Sequence, residues 1–143
     1  MEIADTFEFL LGGWTLSRWI EDRKNGISGT FVGGAVVTEA FPGGGFYKEA
    51  GKLRFHGYEC HSARALNVAR CEDGSVDLSF PDGRHYIKLD LRRSDWSDGH
   101  LCGCDNYQID LYTQSNISLL ERWRVRGPSK CYDALTYLRR EAF

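Results

Sequence analysis

From Trp14 onward, apolar and polar residues alternate with a period of two, the spacing of strands that bury one face. Trp14, Leu16, Arg18 and Ile20 share a face of a first strand, and Phe31, Gly33, Ala35 and Val37 share one of a second. Tyr47, Glu49, Gly51 and Leu53 do the same in a third, and Tyr58, Cys60, Ser62, Arg64 and Leu66 in a fourth. Further strands are predicted over 76–80, 84–91, 100–113, 118–125 and 132–140, about nine in all. Ahead of them, Ile3, Phe7, Leu10 and Leu11 form one face of a helix of about two turns, ended by Gly12-Gly13.

The connections are short. Asp22 to Gly26, Pro42-Gly43-Gly44-Gly45, Glu72-Asp73-Gly74, Pro81-Asp82-Gly83 and Gly127-Pro128-Ser129 read as turns, and 92–99 as a polar loop. No predicted helix is long enough to cover a sheet or to carry a parallel crossover, so the strands form an antiparallel meander. An open meander of this size leaves two bare edges and a wet face, whereas closure removes the edges. The expectation is therefore an all-β fold, a closed antiparallel up-and-down β-barrel with a short N-terminal helix. A two-sheet sandwich is the alternative, although Greek-key connections need longer loops. Nine strands close to a diameter of roughly 18 Å, which leaves room for one small ligand if some inward positions are small. Gly33, Ala35 and Gly51 are the candidates for that role.

A length of 143 residues predicts a single domain over 1–143. Eighteen basic and 20 acidic side chains give a formal charge of −2, so there is no global field to hold nucleic acid or anionic lipid. Five cysteines cannot all pair within the chain, which argues for thiols in a reducing compartment. The acidic start at Glu2, Asp5 and Glu8 is unlike a secretory leader, and no apolar run is long enough to span a bilayer. A cytoplasmic protein is expected.

Gly12-Gly13-Trp14 at the opening of the first strand, with Arg139-Arg140 closing the last, resembles the lipocalin and calycin pattern. That resemblance implies a late arginine packed on an early tryptophan. A second set of residues is more specific: Tyr47-x-Glu49-x-Gly51-x-Leu53, Asp82-Gly83-Arg84, His100-x-Cys102-x-x-Asp105-x-Tyr107, Trp123-x-Val125-x-Gly127-Pro128-x-Lys130-x-Tyr132 and Tyr137-x-Arg139. From about residue 8 to residue 140 the chain is similar to a family of small bacterial and eukaryotic domains of unknown function. The resemblance implies a lipocalin-like barrel and no particular activity. Lys88 departs from it, since a histidine is expected two to four residues after Asp82-Gly83-Arg84.

Strict alternation places His100 and Cys102 on one face of their strand and Asp105 and Tyr107 on the other. A β-bulge at Gly103 would bring all four together, as a row able to recognise a polar ligand or to move a proton. The competing reading is structural, with Asp105 and Tyr107 bridging to Arg64, Arg84 or Lys130. Arg18, Glu49, Arg64 and Arg84 are charged residues in inward registers, and each needs a partner. Glu49 is expected to pair with Arg18 or Arg64. Either the pair fixes strand register, or one guanidinium is left to grip a ligand carboxylate or phosphate.

His100-x-Cys102-x-Cys104 is a poor metal site on a strand, because same-face neighbours lie roughly 6.5–7 Å apart. A haem would take His56, His61, His85 or His100 as its axial ligand. Arg122, Arg124 and Arg126 form an outward stripe. Trp19, Trp96 and Phe143, off the inner face, are candidates for a homodimer surface. Lys130 falls near one barrel mouth. No nucleophile elbow, dinucleotide fingerprint or zinc-protease helix occurs.

The leading expectation is a barrel binding one small aromatic or amphipathic molecule. Trp14, Tyr47, Tyr107 and Trp123 would be its walls, with polar contacts from Arg18, Glu49, Arg64, Arg84, His100, Cys102, Asp105 and Lys130. A cofactor-independent isomerase, cyclase or decarboxylase on the same barrel is the second, using Tyr107, Asp105 or Glu49 for the proton. A haem-binding barrel, or a structural or partner-binding module, is the third. Cofactors are left unassigned.

Overall fold

A computed structural model describes residues 2–141. One short helix, α1 (Thr6–Leu10), precedes ten antiparallel strands: β1 (Gly12–Asp22), β2 (Ile27–Phe41), β3 (Gly44–Phe55), β4 (Tyr58–Arg70), β5 (Val76–Ser79), β6 (His85–Leu89), β7 (Asp95–Cys102), β8 (Asp105–Ser115), β9 (Ser118–Arg126) and β10 (Cys131–Arg140). Their order in the sheet is β6-β5-β4-β3-β2-β1-β10-β9-β8-β7, so the first and last strands pair and the sheet curls into a nearly closed barrel. Among the described residues no helix is long and apolar enough to cross a membrane.

Closure differs from expectation in one place. The break lies between β6 and β7 in mid-chain, where no backbone ladder forms. Side chains bridge it. The Lys88 N–H donates to Asp98 Oδ2 (2.8 Å), and the Trp96 indole N–H donates to the Lys88 carbonyl (2.7 Å). Trp96 is thus half-buried against the core and is not a surface residue, whereas Trp19 is exposed. Phe143, the third candidate for a dimer surface, lies outside the described residues.

Two local features account for the strand count of ten rather than nine. The 100–113 segment is a hairpin: Cys102 pairs with Asp105 across a two-residue turn in which Gly103 takes φ +63°, a conformation suited to glycine. The supposed polar loop before it is already strand from Asp95. A register shift does occur, but in the β5–β6 pairing, where Leu78 opposes Ile87 and Ser79 opposes His85. Tyr86 is the extra residue, and both Tyr86 and Ile87 are buried.

Gly33 and Gly51 face each other across β2 and β3, and their size serves the backbone rather than a ligand. A Cβ on Gly33 would collide with the Ala50 carbonyl, and one on Gly51 with the Val32 carbonyl. The close approach lets these long strands bend around the barrel.

The hairpin turns divide the barrel into two ends. The β1–β2, β3–β4, β5–β6, β7–β8 and β9–β10 turns ring one mouth, while α1 and the remaining turns close the other. At the closed end the Trp14 indole N–H donates to the Leu10 carbonyl (2.9 Å), and the Arg140 guanidinium lies 4.3 Å over the Trp14 ring. Arg140 also donates to the Leu11 carbonyl (3.0 Å), tying the last strand to the helix that plugs the barrel. Trp14 is therefore part of the plug and not a wall at the mouth.

Candidate functional site

Halfway along the barrel, inward residues of β1, β3, β4 and β10 build a layer of polar groups. Arg18 donates to both oxygens of Glu49 (2.9 and 3.2 Å) and through Nε to the Thr136 hydroxyl (2.8 Å). The Tyr47 hydroxyl donates to Glu49 Oε1 (2.6 Å). Arg64 reaches the same oxygen at 3.3 Å and the Tyr86 hydroxyl at 3.4 Å, and its buried Nε–H has no acceptor among the described residues. Alternation produces this layer: Arg18, Tyr47, Glu49, Arg64 and Thr136 all occupy inward registers of their strands.

The electrostatics follow from the packing. Burial alone would raise the Glu49 carboxyl, but the hydrogen bonds from Arg18, the Arg64 charge and the Tyr47 hydroxyl override it and hold the group at about 2. Burial likewise disfavours charge on Arg18 and Arg64, and Glu49 outweighs that and keeps both firmly protonated. The Tyr47 and Tyr86 phenols are pushed up, chiefly by burial. Glu121 faces the layer from β9 and accepts the Trp123 indole N–H (2.8 Å).

The layer separates two chambers. Below it a small apolar cavity of about 60 Å³ lies among Leu10, Val37, Leu66, Leu89, Leu111 and Leu138. Above it a cavity of about 310 Å³ opens at the mouth, bounded by Arg18, Ile20, Asp22, Phe55, Arg64, Tyr86, Trp123, Tyr132 and Ala134. That volume falls at the small end of the range for ligand pockets. Tyr86 and Trp123 stack at 5.4 Å with an interplanar angle of 24° and form one wall. The stack continues outward: the His100 ring meets Tyr86 at 5.7 Å and Tyr107 at 5.8 Å, so aromatic contacts span the β6–β7 break.

The cross-strand pairs His100–Tyr107 and Cys102–Asp105 put these four residues on one face, by way of the hairpin and without a bulge. They do not form one row at the cavity. Asp105 is buried, accepts the Ser129 N–H (3.2 Å) and packs against Gly127, joining two mouth hairpins. Tyr107 accepts the Lys130 ammonium (3.0 Å) at the lip, and Cys102 is exposed. Arg84 lies in the β5–β6 turn ahead of the strand, bound to Asp82 at 2.8 Å and mostly exposed.

Of the histidines, only His100 has its ring packed among interior side chains; His56, His61 and His85 are exposed. The stripe of Arg122, Arg124 and Arg126 is outward, with Arg124 on Asp110 (2.9 Å) and Arg126 on Asp133 (2.8 Å). Tyr86, Tyr132, Phe55 and Ala134 line the cavity although none stood among the sequence-based candidates. For Tyr132 and Ala134 the alternation of β10 was sufficient signal. Tyr86 was hidden by the bulge.

The chain belongs to the family described as "Family of unknown function (DUF6314)", whose profile matches residues 10–140. None of the curated proteins compared matches it. Among solved structures it is similar to the S-type phycobiliprotein lyase CPES from Guillardia theta, with a TM-score of 0.68 and 8% identity over 100% of this chain and 94% of that one. It is also similar to the protein in "Structure of EF1p2_mFAP2b bound to DFHBI", with a TM-score of 0.54 and 9% identity over 96% of this chain and 98% of that one. At such identities the likeness is one of fold.

Proposed function

We propose that this member of the DUF6314 family binds one small aromatic or amphipathic molecule in the cavity at the barrel mouth. The observation that carries the reading is the cavity itself: about 310 Å³, open to solvent, walled by the Tyr86–Trp123 stack and floored by two arginines. A barrel packed only for stability fills such a space with side chains. The structural neighbour whose description names DFHBI is a barrel bound to a small molecule, which agrees with the proposal without specifying a ligand. Proton-transfer catalysis fits the site less well. A general base or acid works best when it titrates near the operating pH, whereas Glu49 is held at about 2 and burial pushes the Tyr47 phenol up. The reading extends to a protein without a nucleic-acid or membrane partner.

Isothermal titration calorimetry with 2-naphthoate and 2-naphthylmethanol tests it. At least one probe should bind one-to-one, and Ala134→Trp, which fills the cavity from β10, should abolish that binding while the fold is retained. Absence of binding by both probes, or binding unaffected by Ala134→Trp, overturns it.

A further inference from the structure

We infer that the ligand is an organic acid whose carboxylate, or equivalent oxyanion, is taken by Arg64; this rests on the mouth cavity being the binding site. The two arginines of the polar layer are not equivalent. Arg18 engages all three of its nitrogens at 2.8–3.2 Å, with both terminal nitrogens on Glu49 and its Nε on Thr136. Among the described residues Arg64 makes two long contacts, 3.3 and 3.4 Å, and its Nε–H has no acceptor. A guanidinium carries five N–H donors in a planar fork matched to two oxygens; Arg18 closes its fork on Glu49, whereas Arg64 spends two donors at long distance and is the freer of the two to take a second anion.

Glu49 does not rest on Arg64 alone. With two hydrogen bonds from Arg18 and one from Tyr47, it keeps a bidentate cation and a neutral donor if Arg64 turns away. Arg64 is also the one member of the Glu49 ion-pair cluster with substantial solvent contact: its side chain is 36% exposed, against 13% for Arg18 and 5% for Glu49. It is enclosed by the barrel wall yet open to the cavity it lines.

The charges around the cavity favour an anion. Within the layer Arg18 and Arg64 are balanced formally by Glu49 and Glu121, but neither carboxylate lines the mouth cavity. Asp22 does, and it is occupied at the rim by the Lys24 and Asn25 backbone N–H groups and the Asn25 side chain. Tyr132 also lines the cavity, its phenol pushed up by burial and by Tyr107 against the opposing charges of Lys130, Arg64 and Arg18. Lys130, in the β9–β10 turn at the same end of the barrel, stands over Tyr107, 5.7 Å from its ring. An acid seated in the cavity sets its rings against the Trp123–Tyr86 stack and its carboxylate on Arg64. The length of the molecule is limited, since the polar layer blocks the apolar chamber beneath.

The same calorimetric pair decides the point. Wild-type protein should bind 2-naphthoate at least tenfold more tightly than 2-naphthylmethanol, which has the same rings and no charge. Arg64→Gln should remove that preference by weakening the acid alone. Arg64→Lys, which keeps the charge and loses the fork, should fall between. Equal affinities of the wild type for acid and alcohol overturn the inference while leaving the cavity reading intact, provided Ala134→Trp abolishes both. An acid preference that survives in folded Arg64→Gln overturns it as well. If neither probe binds, both readings fall. The wild-type ratio needs no variant, so poor folding of Arg64→Gln does not rescue the claim.

Discussion

Arg18 holds Glu49 across the barrel interior through two parallel hydrogen bonds, 2.9 and 3.2 Å long. The carboxylate is 5% exposed, and its charge survives burial because Arg18, Arg64 and the Tyr47 phenol face it. This arrangement fixes the level of the floor beneath the mouth cavity and makes the fold sensitive to acid.

Glu49 is held at about 2 in the folded chain against an ordinary value of 4.5. A carboxyl with a depressed folded value contributes its stability above the unfolded value and loses it as pH falls towards the folded one. The window is therefore pH 4.5 down to about 2, and the contribution lost across it is on the order of 3 kcal/mol. Thermal unfolding measured between pH 6 and pH 2.5 should show a steep fall that is shallower in Glu49→Gln. The variant should also be less stable at neutral pH, by roughly 3–5 kcal/mol, since it leaves Arg18 buried without its counter-charge. Parallel acid profiles for the two proteins would contradict this account.

Arg140 binds the plug to the barrel by lying over Trp14 and donating to the Leu11 carbonyl. Arg140→Ala removes a cation–π contact and a charge-assisted hydrogen bond, together worth about 2–3 kcal/mol. Urea unfolding should show the loss in the midpoint. Amide exchange should accelerate in the Thr6–Leu10 helix more than around the mouth. A uniform change along the chain would show that the plug is not a separate unit.

The β6–β7 break relies on Asp98 and Trp96 rather than on a ladder. Asp98→Ala should cost about 1–2 kcal/mol and raise hydrogen exchange at the Lys88 amide, with little change in the β1–β10 pairing. If that amide is equally protected in the variant, the seam is closed by something other than this contact.

Gly33 and Gly51 offer a sterically clean test of the bend in β2 and β3. Alanine at either position would press its methyl into a facing carbonyl, and no flexible side chain can yield there. Each substitution should cost about 2 kcal/mol or more. Calorimetric melting of Gly51→Ala that matches the wild type would mean the strands can part without loss.

Much of the barrel was legible because its information is periodic. Arg18, Glu49 and Arg64 stood out as charges in registers that otherwise read apolar, and the short turns required a meander. What escaped notice depends on single residues that interrupt the period. The 103–104 turn is carried by one glycine and a cysteine, a residue with no turn preference, so two strands read as one. Strand β7 was obscured by Asp95, Ser97, Asp98 and Gly99, a polar composition suited to an edge that lacks a ladder partner. The bulge at Tyr86 has no local signature, since both it and Ile87 are large and apolar enough to be buried. Its effect was to bring Tyr86 inward beside Ile87.

The most direct test of the central claim is a nitrogen–proton correlation spectrum recorded during titration with 2-naphthoate. The account predicts saturable shifts at the Trp123 indole N–H, the Arg64 Nε–H and the Tyr132 and Ala134 amides, with the Trp19 indole on the outer face unmoved. Shifts confined to the Trp19 face, or none at Trp123 and Arg64 at saturation, would contradict it.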